Sequence, residues 1–393
     1  MMTEYTVSEY PDKIRKHFKV VYQQNPLLVR SPGRVNLIGE HTDYNMGFVL
    51  PAAISKAIYL GVQKREDNEI HLVSFDYDDQ YKTTLETINR SGKLWPDYIL
   101  GVVEQFQQAG AVFSGFNLVV GGDIPTGAGL SSSAALECAA GFAFNELFRF
   151  GFSKIEIVKM GQAAENQFVG VNCGIMDQFA SVFGREKHLI RLDCRSLEYT
   201  YIPFNDDEIE IVLFDTQVKH SLASSAYNDR RAQCEKGVAL ISQHKPEVKS
   251  LRDATEEMLL TYVKPVNEET YNRCHYVVSE IQRLLDGCED LERNDLKAFG
   301  QRMFETHAGL RDLYEVSCPE LDHLVNLVTG NTNVFGARMM GGGFGGCTIN
   351  LVKKGAVNDL IEHVSAGYKA LTGKDVQVYI ANIQNGTSVI EKD

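Results

Sequence analysis

Between two apolar runs, the stretch RSPGRVNLIGEHTDYNMGF gathers Arg34, Glu40, His41 and Asp43 in one short loop. Carboxylates accept hydrogen bonds from vicinal hydroxyls, so this composition suits a polyol. His and carboxylates are also metal ligands, and a charged loop can simply be solvated. Spacing alone leaves all three open. A second stretch, GGDIPTGAGLSSSAALECAA, follows an apolar β-type run and precedes a helix. Glycines let a ligand approach the backbone closely, and a new helix offers free N–H groups at its positive end. Together they make a phosphate site. The hydroxyls of Ser131, Ser132 and Ser133 can add donors or ligate a phosphate-bound Mg²⁺. The alternative is a tight Gly-Ala-Gly turn with a serine N-cap. The loop is no Walker A motif, because Gly122-x-x-x-x-Gly127 is followed by Ala128 instead of lysine. Nor is it the dinucleotide fingerprint, whose third glycine is replaced by Ser132. A loop without its own lysine requires Mg²⁺ and other residues to neutralise a triphosphate.

Gly341 to Gly346 holds five glycines in six positions. That costs conformational entropy which an ordinary hairpin does not need, so close backbone approach to a ligand is expected. Asp177 falls in the first turn of a helix over IMDQFASVF. There it either caps the helix or stands ionised beside the dipole, ready to orient or deprotonate a hydroxyl. Glu165 reads by default as an exposed helix residue; functionally it would partner Ser133 on Mg²⁺. Tyr227, in SSAYNDRR, reads as a surface or packing tyrosine.

The elements that must hold these residues follow from periodicity. LLVRS, RVNLIGE, AIYLGVQ, EIHLVSF, YKTTLE and FNLVVGG have β-type patterns, and helical spacing runs from about Trp95 to Ala109. A helix opens at Ser132–Ser133 and continues through AALECAAGFAFNELF. Ser153 and Glu156 form a capping box that starts the helix carrying Glu165. The second half opens on the strand IEIVLFDT, is helix-rich to about Val328, and closes with a β-type run, a helix and the strand VQVYIANI. Segregated strands and helices predict an α+β fold. At roughly 100 to 200 residues per domain, 393 residues imply two. A composition shift puts the expected boundary near Pro203, giving 1–203 and 204–393.

With 44% hydrophobic and 23% charged residues the chain is ordinary globular protein. Its net charge of −13 disfavours nucleic acid and anionic membranes as partners. Eight scattered cysteines lack zinc or C-x-x-C spacing and read as reduced thiols. The opening MMTEYTVSEYPDKIRKHF has no apolar core of a signal peptide, and no apolar stretch reaches about 18 residues. A cytoplasmic location is expected.

Taken together, the three motifs resemble the galactokinase, homoserine kinase, mevalonate kinase and phosphomevalonate kinase superfamily. GRVNLIGEHTDY, from Gly33 to Tyr44, is similar to the signature of its galactokinase family. GAGLSSSA, from Gly127 to Ala134, resembles the superfamily's ATP loop, and Gly341–Gly346 its third motif. The resemblance runs from about Val29 to Tyr379. It implies an S5-like N-terminal domain, a ferredoxin-like C-terminal domain and an active site in the cleft between them. It implies a monomer that uses ATP and Mg²⁺ to phosphorylate the C1 hydroxyl of α-D-galactose, the first committed step of galactose catabolism. Glu40, His41, Thr42, Asp43, Asp177 and Tyr227 would contact the sugar. Gly127, Ala128, Gly129, Leu130, Ser131, Ser132 and Ser133 would hold the triphosphate, with Ser133 and Glu165 on Mg²⁺. Arg34 and Asp177 would be the catalytic pair, and Ser74 and Trp95 would belong to the nucleotide pocket. Two rivals share the fold: a kinase for N-acetylgalactosamine, and a non-catalytic sensor of galactose and ATP. The family's sensor lacks a Ser-Ala pair in the ATP loop, whereas Ser131-Ser132-Ser133-Ala134-Ala135 is complete here.

Overall fold

The computed structural model describes residues 9–204, 208–218 and 223–391, the side chains of 223–225 excepted. The first eight residues of the opening segment therefore lie outside it; the rest forms the helix Tyr10–Tyr22, with a proline in its first turn.

Two separate β-type runs of the sequence, LLVRS and RVNLIGE, join into one strand, Leu27–Asn36. Its register against Pro51–Lys64 shifts between Pro32 and Arg34. Proline has no N–H to give to a ladder, so an irregularity is tolerated there. The Arg34 N–H donates instead to the Leu130 carbonyl at 3.2 Å. A side chain on Gly33 would come within 2.6 Å of that same oxygen. The irregularity thus seats Arg34 directly against the glycine loop.

This strand belongs to a six-stranded sheet ordered Ser388–Val389, Leu27–Asn36, Pro51–Lys64, Phe116–Gly122, Glu69–Ser74, Asp79–Thr84. Only the pairing of Glu69–Ser74 with Phe116–Gly122 is parallel. Alternate residues face opposite ways, as strand geometry demands. Val29, Leu60, Leu118 and Val120 meet the helices Leu94–Gln108 and Ser132–Phe148, while Leu28, Tyr59 and Val119 meet Ile14 and Phe18. A three-stranded sheet of Phe48–Val49, His188–Asp193 and Tyr199–Pro203 completes this half.

After Pro203 the chain changes sheet. Ile209–Asp215 lies between Cys347–Lys353 and Gln377–Ala381, with Val334–Met339 at the edge, all antiparallel. Val212 and Phe214 face the helices Pro319–Val328 and Val357–Thr372. Ile211 and Leu213 face the other way and share one core with Val35 and Ala52 of the first sheet and with Leu37 just beyond it. The fold is the two-domain α+β kinase fold, and its halves meet through apolar packing. The last strand, Ser388–Val389, crosses back to pair with Leu27–Asn36.

All eight cysteines are unpaired and seven are buried. Among the described residues no helix is long and apolar enough to cross a membrane.

Candidate active site

Arg34, buried, places its guanidinium on Asp177 as a fork, Nε to Oδ1 at 2.7 Å and Nη2 to Oδ2 at 2.8 Å. Its Nη1 donates to the Gly129 carbonyl at 2.6 Å. Burial works against its charge, but Asp177 and Glu40 more than restore it. Asp177 stands in the first turn of Met176–Phe183 and also accepts from the Ser131 hydroxyl. Ser131 precedes the helix Ser132–Phe148 in the left-handed region, φ 59°, and its side chain does not cap that helix. The simple serine cap is therefore absent. The hydroxyl is spent on joining the glycine loop to Asp177.

The acidic loop is buried, not solvated. Glu40 Oε1 accepts from Arg338 at 3.0 Å and from the Gly341 N–H at 2.8 Å; Oε2 accepts from Asn36 at 2.9 Å. Burial would raise its pKa, yet Arg338, Arg34 and these hydrogen bonds together hold it below the ordinary range. His41 is left-handed, φ 63°, with Nδ1 at 2.8 Å from the Tyr44 hydroxyl. Burial draws its pKa down to about 4, so the ring is neutral near pH 7. For Asp43, burial and then the charge of Asp177 push the pKa up to about 7. Gly174 lies flat against this carboxylate: a methyl group there would overlap it.

Glu165 overturns its default reading as an exposed helix residue. The helix Lys154–Ala163 has the expected capping box and passes into a π-helical turn, Ala164–Val169, where Glu165 is buried on the face begun by Val158 and Gly161. Such turns recur at functional sites. Gln178 donates to Glu165 at 2.8 Å, and the Ser133 hydroxyl is hydrogen-bonded to it. Burial and the charge of Asp177 raise its pKa against those bonds. The described residues hold no cluster of three or more His, Cys, Asp or Glu fit for a metal. A Mg²⁺ held by nucleotide phosphates needs only one or two protein oxygens, and the adjacent Ser133 hydroxyl and Glu165 carboxylate match that demand.

Arg34, Glu40, His41, Asp43, Glu165, Asp177 and Tyr227 line a single cleft of about 260 Å³. A cleft near the lower end of the ~300–1,000 Å³ range of ligand sites suits a small ring. Tyr227, from the helix Ala223–Ser242, tilts over His41 with ring centroids 5.4 Å apart. The glycine loop, Gly127 to Ser133, lies outside this lining, and so do two further expected contacts. Thr42 is fully buried and turns its hydroxyl back on Gly39 and Phe48 of its own loop. Ser74 is buried at the end of its strand, opposite Asp79, to which Trp95 donates at 2.9 Å. Neither lines this cleft.

Gly342, Gly343 and Phe344 form its far wall. The glycines also serve packing that the sequence does not reveal. A Cβ on Gly343 would strike the Val316 carbonyl and one on Gly345 the Val218 carbonyl, whereas a Cβ on Gly341 or Gly346 would rest at 3.6 Å from the backbone of Gly129 or Ala128, an ordinary contact. The third run thus lies beside the glycine loop. Sequence reasoning missed Gly174, Cys173 and Met176 as lining residues. Asn172-Cys173-Gly174 reads as a turn ahead of the helix carrying Asp177, but nothing in it points at Asp43.

Comparison with known proteins agrees with this geometry. Residues 16–64 match the galactokinase galactose-binding signature, 97–185 the N-terminal domain of GHMP kinases and 289–370 their C-terminal domain. The galactokinase of Roseiflexus sp. (strain RS-1) is 40% identical over 95% of this chain and 96% of its own. That of Clostridium acetobutylicum is 41% identical over 96% and 98%. The chain belongs to the galactokinase family. It is a kinase. The crystal structure of Lactococcus lactis galactokinase complexed with galactose superposes with a TM-score of 0.93 at 34% identity, covering 97% of this chain and all of that one. A mevalonate kinase at 19% identity and TM-score 0.63 shares the fold alone.

Proposed function

We propose that this galactokinase-family chain transfers the terminal phosphoryl group of ATP to the C1 hydroxyl of α-D-galactose, giving galactose 1-phosphate and ADP. The observation that carries the reading is Asp177, which accepts at once from Arg34 and from Ser131 and so joins the acidic cleft to the glycine loop. Glu40, His41, Asp43 and Tyr227 would hold the sugar; Thr42 would only stiffen their loop. Gly127 to Ser133 would cradle the triphosphate. Mg²⁺, when bound by Ser133 and Glu165, supplies the positive charge that the lysine-free loop lacks.

Phosphoryl transfer passes through a loose transition state, so positioning and charge neutralisation do most of the catalysis. Arg34 sits where it can meet charge on the transferred group. Both oxygens of Asp177 already accept hydrogen bonds. This favours a carboxylate that first orients the attacking hydroxyl and takes its proton late.

Incubation with Mg·ATP and a sugar panel, following ADP release, tests the reading. Galactose should turn over, and EDTA should abolish the reaction until Mg²⁺ is restored in excess. Preference for N-acetylgalactosamine would reassign the substrate. Turnover of mevalonate alone, or binding without ADP release, would sink the proposal.

A pH effect follows from Asp43. Its raised pKa means that the folded protein favours the protonated form. That contribution to stability is complete below the ordinary carboxylate pKa and is lost as pH rises through about 7. Accepting from sugar hydroxyls favours the ionised form instead. The KM for galactose should therefore rise below pH 7, by up to about tenfold per pH unit. Asp43→Asn should flatten the profile; a flat wild-type profile would refute the effect.

A further inference from the structure

Arg338 is fully buried near the end of the edge strand Val334–Met339, and it does not line the cleft. Its Nε donates to the Leu37 carbonyl at 2.8 Å and its Nη1 to Met339 at 2.6 Å. Nη2 donates to the Asn36 carbonyl and, at 3.0 Å, to Glu40 Oε1. Three of these four acceptors belong to the segment that leaves the first sheet and enters the acidic loop. The opposite domain grips the same segment twice more: the Tyr276 hydroxyl donates to the Glu40 carbonyl at 3.1 Å, and the Gly39 N–H donates to Glu280 at 2.9 Å. Those two hold backbone. Arg338 also holds the carboxylate.

We propose that Arg338 is a positioning residue for sugar binding that acts through Glu40. With Oε1 shared between Arg338 and Gly341, the carboxylate plane is fixed, and Oε2 keeps capacity to accept from a ligand in the cleft. A planar fork suits this task, since it serves three backbone carbonyls and a carboxylate at set angles, which a lysine's point charge does not. Because it is buried, Arg338 reaches the sugar only by way of Glu40. The inference rests on the proposed reading of Glu40 as a sugar contact.

Steady-state kinetics with both substrates varied, on Glu40→Gln, Arg338→Lys and the double variant, test it. Arg338→Lys should raise the KM for galactose about tenfold or more, leave that for ATP within about twofold, and lower kcat less than it raises KM. Adding it to Glu40→Gln should change the galactose KM by no more than about threefold, since the partner is already disabled. Equal loss of affinity for both substrates, or full multiplication of the two effects, would overturn the inference. If Arg338→Lys does not fold, Arg338→Gln combined with Glu40→Gln leaves no unpaired buried charge and replaces it. It should match Glu40→Gln in galactose KM, and a further tenfold loss, as full additivity would give, overturns the inference. A normal galactose KM for Glu40→Gln alone overturns both the reading of Glu40 and this inference. A raised KM there, with Arg338→Lys unchanged, overturns only the inference.

Discussion

Asp177→Asn should abolish most turnover, lowering kcat by about 10²- to 10⁴-fold while galactose still binds. The amide keeps the shape of the carboxylate but turns one acceptor into a donor. Arg34 presents Nε and Nη2 to the two oxygens, so one of these N–H groups would face an NH₂. The Ser131 hydroxyl donates to the oxygen shared with Nη2, so the junction between cleft and glycine loop loosens as well. Arg34 is only 5% exposed, and its charge would lose its closest counter-ion. A lower melting temperature should accompany the lost activity, because a buried charge without its partner is costly. Single-turnover ADP release beside calorimetric galactose binding separates the effects. A near-normal kcat would remove Asp177 from the chemistry.

Gly174→Ala should cost about 10²-fold in kcat/KM for galactose, although position 174 offers the sugar nothing but backbone. The added methyl would overlap the Asp43 carboxylate, and a shift of about 1 Å is enough for a loss of that order. The glycine is not there for a special backbone angle, since its φ is not positive. It is there for room. The loss should fall mainly on the galactose KM, with ATP affinity retained. Equal kinetics for variant and wild type would mean that Asp43 does not meet the sugar.

Much of this molecule is legible in its sequence where the cause is local. The capping box at Ser153 and Glu156 is written in two residues and forms as written. The helix Ser132–Phe148 begins where the serines follow the glycines. Asp177 falls in the first turn that its helix pattern implies. What was not legible depends on distant partners. LLVRS and RVNLIGE read as two strands because Pro32-Gly33 looks like a break; pairing with Pro51–Lys64 carries one strand through it. Glu165 reads as exposed because it is charged, whereas at helical spacing it continues the buried face of Ile157, Val158 and Gly161, and what covers that face lies far away in sequence. Thr42 sits among residues that line the cleft, yet its hydroxyl closes its own loop. Gly341 to Gly346 suggests ligand approach, whereas Gly343 and Gly345 also make room for the carbonyls of Val316 and Val218.

The strand Ser388–Val389 has a consequence for how the chain is made. It covers the outer edge of Leu27–Asn36, and Thr387 bonds Ser31 across 356 positions of sequence. Until that late segment has been synthesised, the strand that carries Arg34 keeps an open hydrogen-bonding edge, the kind of surface that recruits other chains. The first half can collapse on the ribosome as it emerges, but its sheet is sealed only once Ser388–Val389 has followed. Closure across so long a loop is slow, and during that wait the nascent protein is most exposed to misassembly and most in need of a chaperone.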